Sequence, residues 1–214
     1  MVEVKICGLS TAQSVDAAIA AGASYVGFVF FAKSPRNVTL PLAKELSELA
    51  RGRAKIVALI VDADDAAIQA INATIQPDYF QAHGEESPDR IAAIAALAKK
   101  PVIKAIKVAD ASDISRATDY AGKATLILYD AKAPETLVNP LPGGNGIAFD
   151  WTLVPKTDGF ILSGGLTPEN VKTAIRMTGA PIVDVSSGVE SAPGRKDLDL
   201  IRKFIEQAKS ASYP

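Results

Sequence analysis

A closed (β/α)8 barrel built as a single domain over residues 1–214 is the fold class this sequence predicts, and three observations carry it. Eight short runs of β-forming residues alternate with Ala-rich or amphipathic stretches of helical period. At 214 residues the chain accommodates eight such units without large insertions, and 48% hydrophobic content suffices for one large core. No G-x-G-x-x-G follows the first run and no G-x-x-x-x-G-K-[ST] occurs anywhere. The usual signatures of a doubly wound open sheet, which shares the same alternation, are therefore missing.

The strands are read at 2–7, 25–30, 55–62, 78–83, 102–108, 125–130, 159–162 and 182–185. Helices are read at 12–21, 42–50, 65–75, 89–99, 113–120, 171–177 and 198–208. Strict alternation places a parallel sheet inside and helices outside. The connection after the sixth strand departs from it, because Pro134, Pro140, Pro142 and Gly143-Gly144-Asn145-Gly146 exclude a regular helix. A loop with that much Gly approaches a ligand or packs tightly. After the seventh strand, Thr167 reads as an N-cap, Pro168 as the first helical residue and Glu169 as first-turn acid.

Lys+Arg of 23 against Asp+Glu of 24 gives a net charge of -1, with no basic stripe. Nucleic acid is excluded as a partner on that ground, and a small molecule is favoured. One Cys and one His exclude an internal disulfide and the usual Cys/His zinc clusters, so no metal is expected. The first residues lack a cationic flank and an apolar signal core, and no apolar stretch approaches the ~18 residues of a membrane span. The expectation is a soluble, cytoplasmic protein, free of the membrane and not fused to a neighbouring enzyme. Barrels expose or pair their faces without a readable motif, so monomer and homodimer both stand.

Two apolar runs near the C-terminus break into small residues, Ser163-Gly164-Gly165 and Ser186-Ser187-Gly188. Strand ends that stop at Ser and Gly leave backbone N–H groups unpaired and aimed at one spot, which suits a phosphate. In a barrel, the loops after strands seven and eight form the recurrent phosphate site. Alternation in the first strand puts Glu3, Lys5 and Cys7 on the inner side. Cys7 then stands at the C-terminal end with Lys5 one layer below, where a cation favours thiolate and suits the thiol to act as base or nucleophile. Asp130 closes the sixth strand on the inward side. At an apolar rim its carboxyl would hold a proton near neutral pH and deliver it to a substrate oxygen. His83 and Asp184 are further inward candidates at strand ends. Arg36, after the rigid Pro35, presents a guanidinium suited to bidentate carboxylate binding. No G-x-S-x-G occurs, so a serine hydrolase is set aside.

Six ordered segments resemble one family nearly end to end. They are Lys5-Ile6-Cys7-Gly8-Leu9, Gly27-Phe28-Val29-Phe30 with Ser34-Pro35-Arg36, Gln81-Ala82-His83-Gly84-Glu85, Gly143-Gly144-Asn145-Gly146 with Phe149-Asp150-Trp151, Ser163 to Asn170, and Asp184 to Glu190. On these the chain resembles the phosphoribosylanthranilate isomerases of tryptophan biosynthesis, a (β/α)8 barrel family. The resemblance implies an Amadori rearrangement with Cys7 as general base and Asp130 as general acid. It implies that Arg36 holds the anthranilate carboxylate, and that Gly144, Asn145, Gly146 and the two Ser/Gly turns hold the phosphate, with no cofactor. Asn145 stands where the family often has Ser or Thr, and Ala82 where Leu is more familiar. A histidine-pathway sugar isomerase with two carboxylates and an indole-forming lyase with a Lys-rich set fit Cys7 with Asp130 less well.

Overall fold

The computed structural model describes residues 1–133, 143–146, 148–155 and 159–211. Eight parallel strands close into a barrel in chain order: β1 (Glu3–Cys7), β2 (Tyr25–Phe30), β3 (Lys55–Ile60), β4 (Tyr79–Ala82), β5 (Val102–Val108), β6 (Leu126–Ala131), β7 (Phe160–Leu162) and β8 (Ile182–Val185). β8 pairs with β1 to close the ring, setting Lys5 opposite Asp184. Seven α-helices are present among the described residues: α1 (Ala12–Ala21), α2 (Leu40–Ala50), α3 (Asp65–Ile75), α4 (Pro88–Ala98), α5 (Ala111–Ser115), α6 (Val171–Thr178) and α7 (Leu198–Lys209). Thr11, Thr39, Asp64 and Ser87 cap the first four, each accepting a backbone N–H of the first turn.

Period two sorts the side chains. Val4, Ile6, Val26, Phe28, Phe80 and Tyr129 face out into the layer shared with the helices. Tyr25, Val57, Ile103, Leu128 and Ile161 fill the barrel itself. At the lower mouth Glu3 accepts from the Tyr25 hydroxyl at 2.9 Å, and Lys55 donates to the same oxygen at 3.2 Å.

Two expectations are corrected. The helix read at 113–120 is a short α5 followed by a 3-10 turn over Arg116–Tyr120. Thr167 does not begin α6. Its hydroxyl accepts from Glu169 N, closing a separate turn, while α6 starts at Val171 after Asn170. The short 167–170 turn is held by Asn170, whose amide oxygen takes Thr167 N and whose amide nitrogen donates to Gly165 O. Between β8 and α7 the chain forms a 3-10 turn (Ser187–Val189) and a hairpin of β9 (Glu190–Ala192) and β10 (Arg195–Lys196), tightened by Pro193-Gly194, while α7 falls where the sequence placed it. After β6 the described residues form only a 3-10 turn at Trp151–Leu153. The prolines at 134, 140 and 142 lie outside the described residues.

Candidate active site

The C-terminal ends of the strands surround one solvent-open pocket with about 750 Å³ of empty space, mouth included, a size suited to a small-molecule ligand. Every residue singled out from the sequence lines it: Cys7, Arg36, His83, Asp130, Asp184, Gly144, Asn145, Gly146, Ser163, Gly164, Gly165, Ser186, Ser187 and Gly188. Cys7, Val29 and Leu59 form an apolar cluster backed by Phe31 and Val61, which gives the pocket one greasy wall.

The chemistry begins in the barrel axis. Lys5 is fully buried, and its Nζ donates to Asp184 Oδ1 at 2.8 Å. Asp184 Oδ2 in turn accepts from Ser163 Oγ at 3.2 Å. Burial works against the Lys5 charge, but Asp184 and Cys7 outweigh it and raise its pKa. A side chain at Gly27 would meet both Cys7 Sγ and Lys5 Nζ within 3.3 Å, so the missing Cβ is what lets the two groups share the space. The expected thiolate is corrected here. Burial pushes the Cys7 thiol above its ordinary value, and Lys5 only partly offsets this because Asp184 pushes the thiol the same way as burial. Sequence spacing placed the cation but not its carboxylate partner.

Asp130 is also not at a purely apolar rim. Its Oδ2 lies 3.0 Å from His83 Nε2, and its Oδ1 accepts from the N–H of Ala131 at 3.0 Å. Below, Gln81 Nε2 stands 2.9 Å from His83 Nδ1. Gln81 carried no role in the sequence reading, although its position two residues before His83 on β4 puts both on the inner side.

Arg36 is buried and engaged. Its Nε and Nη2 donate to Glu190 Oε1 and Oε2 at 2.8 and 2.9 Å, and Nη2 reaches Gly144 O at 3.3 Å. The bidentate edge expected for a ligand therefore holds an internal carboxylate, and Nη1 lies so close to Gly144 that a Cβ there would come within 2.7 Å of it. Lys196 adds a second cation on Glu190 at 2.8 Å and donates to Ser186 O at 2.8 Å. Burial lowers Lys196 to about 8 despite Glu190, while its two cations hold Glu190 below the usual carboxylate range against the cost of burial. Glu190 and Lys196 were not singled out as site residues. The Pro-Gly turn that pairs β9 with β10 was the readable signal.

The two Ser/Gly turns meet at the far side. Gly164 and Gly165 both have positive φ, +85° and +64°, which L side chains rarely adopt. A Cβ at Gly188 would overlap the Leu166 carbonyl oxygen, so the second turn closes on the first only as glycine. A short 3-10 turn, Ser187–Val189, follows Ser186. Among the described residues no group of three or more His, Cys, Asp and Glu could hold a metal ion. No helix among them is long and apolar enough to cross a membrane.

A family model described as N-(5'phosphoribosyl)anthranilate (PRA) isomerase matches residues 4–207. An N-(5'-phosphoribosyl)anthranilate isomerase of Sinorhizobium medicae is 51% identical over 212 residues, covering 98% of either chain. A crystal structure of phosphoribosyl anthranilate isomerase in complex with reduced 1-(o-carboxyphenylamino)-1-deoxyribulose 5-phosphate superposes with a TM-score of 0.84 at 35% identity, covering 98% of this chain and 99% of that one. A structure of monomers generated from the dimeric Thermotoga maritima enzyme gives 0.82 at 35% identity, again covering 98% and 99%.

Proposed function

The chain belongs to the N-(5'-phosphoribosyl)anthranilate isomerase family, enzymes of tryptophan biosynthesis, and from that premise we propose that Cys7 and Asp130 carry the isomerisation as base and acid. The carrying observation is geometric: one inward thiol and one inward carboxyl stand at strand ends around the same pocket, beside a glycine-lined anion cup. Asp130 protonates the furanose oxygen of phosphoribosylanthranilate, the bond from that oxygen to C1 breaks, and the anthranilate nitrogen takes the positive charge as a Schiff base. That charge acidifies C2, whose proton passes to Cys7 once the thiol has given up its own proton to solvent, an ionisation that burial makes uphill in the free enzyme. Return of a proton to C1 and loss of the C2 hydroxyl proton give 1-(2-carboxyphenylamino)-1-deoxyribulose 5-phosphate. The substrate's own nitrogen serves as the electron sink, so the chemistry requires no cofactor.

Positions follow from the same pocket. The phosphate takes the turns of Gly144–Gly146, Ser163–Gly165 and Ser186–Gly188, where backbone N–H donors replace Lys or Arg. The anthranilate ring rests on Val29, Leu59 and Phe31, and its carboxylate meets the Nη1 side of Arg36. His83 and Asp184 orient the reacting groups. The reading extends to a cytoplasmic enzyme acting as one domain, as a monomer or homodimer.

The test follows the fluorescence of phosphoribosylanthranilate, generated in place from anthranilate and phosphoribosyl pyrophosphate, after the purified protein is added. Decay faster than spontaneous hydrolysis, without anthranilate reappearing, is expected. Folded protein that leaves the decay unchanged would remove the reading.

A further inference from the structure

The geometry points to Gln81 as a positioning residue that, through the orientation of its amide, decides which nitrogen of His83 carries a proton and so whether Asp130 faces a donor or an acceptor. The inference rests on Asp130 being the acid. Gln81 is fully buried in β4, one layer beneath His83, and is not among the residues that line the pocket.

An amide nitrogen only donates. With Gln81 Nε2 2.9 Å from Nδ1, that ring nitrogen accepts, so the neutral imidazole carries its proton on Nε2 and donates it to Asp130 Oδ2. Asp130 already accepts the N–H of Ala131 on its other oxygen. A carboxyl whose two oxygens both face donors has no acceptor beside it toward which a proton could point. The arrangement also leaves Gln81 Oε1 buried without a hydrogen-bond partner among the described residues. Turning the amide over exchanges one unpaired atom for another: Oε1 then accepts from a protonated Nδ1, and Nε2 of the amide loses its partner. With Nδ1 protonated, a neutral His83 presents Nε2 as an acceptor to an Asp130 that carries its proton, whereas an imidazolium would oppose a carboxylate. Either way the His83–Asp130 pair holds one more proton than in the first arrangement. The two amide orientations therefore correspond to an acid without its proton and an acid ready to deliver it. A buried amide with one satisfied and one unsatisfied end is poised between them.

His83 is the only histidine of the chain, so a ¹⁵N-histidine-labelled sample reports a single ring. The resting enzyme is expected to show a bare Nδ1 and a protonated Nε2. Gln81→Glu, which offers only acceptors when ionised, should protonate Nδ1. Gln81→Met should lower kcat about tenfold or more at unchanged KM, a loss that Gln81→Glu largely restores. A resting ring already protonated on Nδ1, a ring unchanged in Gln81→Glu, or wild-type kcat in Gln81→Met would each overturn the inference. The first two readings need only wild type and the near-isosteric Glu variant, so poor folding of the Met variant does not shelter it. Asp130→Asn separates the two levels: normal turnover there would remove Asp130 as the acid, while the ring's response to residue 81 is read independently of turnover.

Discussion

Two buried ion pairs sit at the same end of this barrel with similar burial, yet only one belongs to the pocket. Lys104 and Glu86 are 2.8 Å apart, with side chains 3% and 1% exposed; Arg36 and Glu190 are equally close, at 6% and 4%. In both, burial works against the carboxylate and its cation partners more than offset it, leaving the pKa below the ordinary value. The difference is what each pair adjoins. Lys104 also donates to Gly84 O at 2.7 Å and lies over the Tyr120 ring, while Glu86 Oε1 takes the N–H groups of Asp62 and Gly84. That pair is closed on itself and pins the loops after β3 and β4. Arg36, fixed along one edge by Glu190, lines the pocket. Burial and a shifted pKa mark both pairs alike; what separates them is that Arg36 lines the pocket with Cys7 and Asp130 while Lys104 does not.

The sharpest way to break this comparison is to remove one partner of the closed pair. Lys104→Met leaves Glu86 buried and uncompensated, and should cost about 3–5 kcal/mol in denaturant unfolding with kcat and KM within a few-fold of wild type. Activity lost at unchanged stability would make the pair part of the site. Because the folded pKa of Glu86 lies below its unfolded value, its contribution is full above the ordinary carboxylate value and fades as the pH falls through the folded one. The stability gap between wild type and Glu86→Gln should therefore narrow in acid.

Next in size come the reacting groups, for which the opposite pattern is expected. Cys7→Ala and Asp130→Asn should each lower kcat by about 10² or more while the unfolding midpoint stays near that of wild type, since neither leaves an unpaired buried charge. Turnover near normal in either variant would remove that residue from its proposed role.

Much of this was legible in the sequence because it is local. Short β-runs closed by Gly, Ser or Asp, and Ala-rich or amphipathic stretches of helical period, announce themselves within a few residues, and period two places Cys7 and Asp130 inside. What stayed hidden is pairing across the ring. Asp184 lies 179 residues from Lys5, and Glu190 lies 154 from Arg36. No local spacing tells that the cation expected to activate Cys7 is already shared, or that the bidentate edge of Arg36 is occupied. The Thr167 cap misled for the reverse reason: its local chemistry is real, but it closes a turn that Asn170 ties back to Gly165 rather than opening the helix.

A smaller effect belongs to Arg36 itself. With one edge held by Glu190, Arg36→Met should raise KM about tenfold or more and leave kcat less affected, as expected of a group that binds substrate and transition state alike. An unchanged KM would count against Nη1 as the carboxylate contact and would place Arg36 with Lys104 among the braces.

The smallest effect, a shift in titration alone, concerns how Lys5 divides its charge between Cys7 and Asp184. In the free enzyme, alkylation of Cys7 followed against pH should have its midpoint above that of an ordinary thiol, because burial and the Asp184 carboxylate both disfavour the thiolate and Lys5 compensates incompletely. Asp184→Asn removes one of those two unfavourable influences and also frees the ammonium that now sits 2.8 Å from Oδ1. Both changes act in the same direction, so the midpoint should fall. A midpoint that rises would mean that Asp184 supports the thiolate by fixing Lys5 beside the sulfur, and that the pair in the axis positions the cation rather than competing for it.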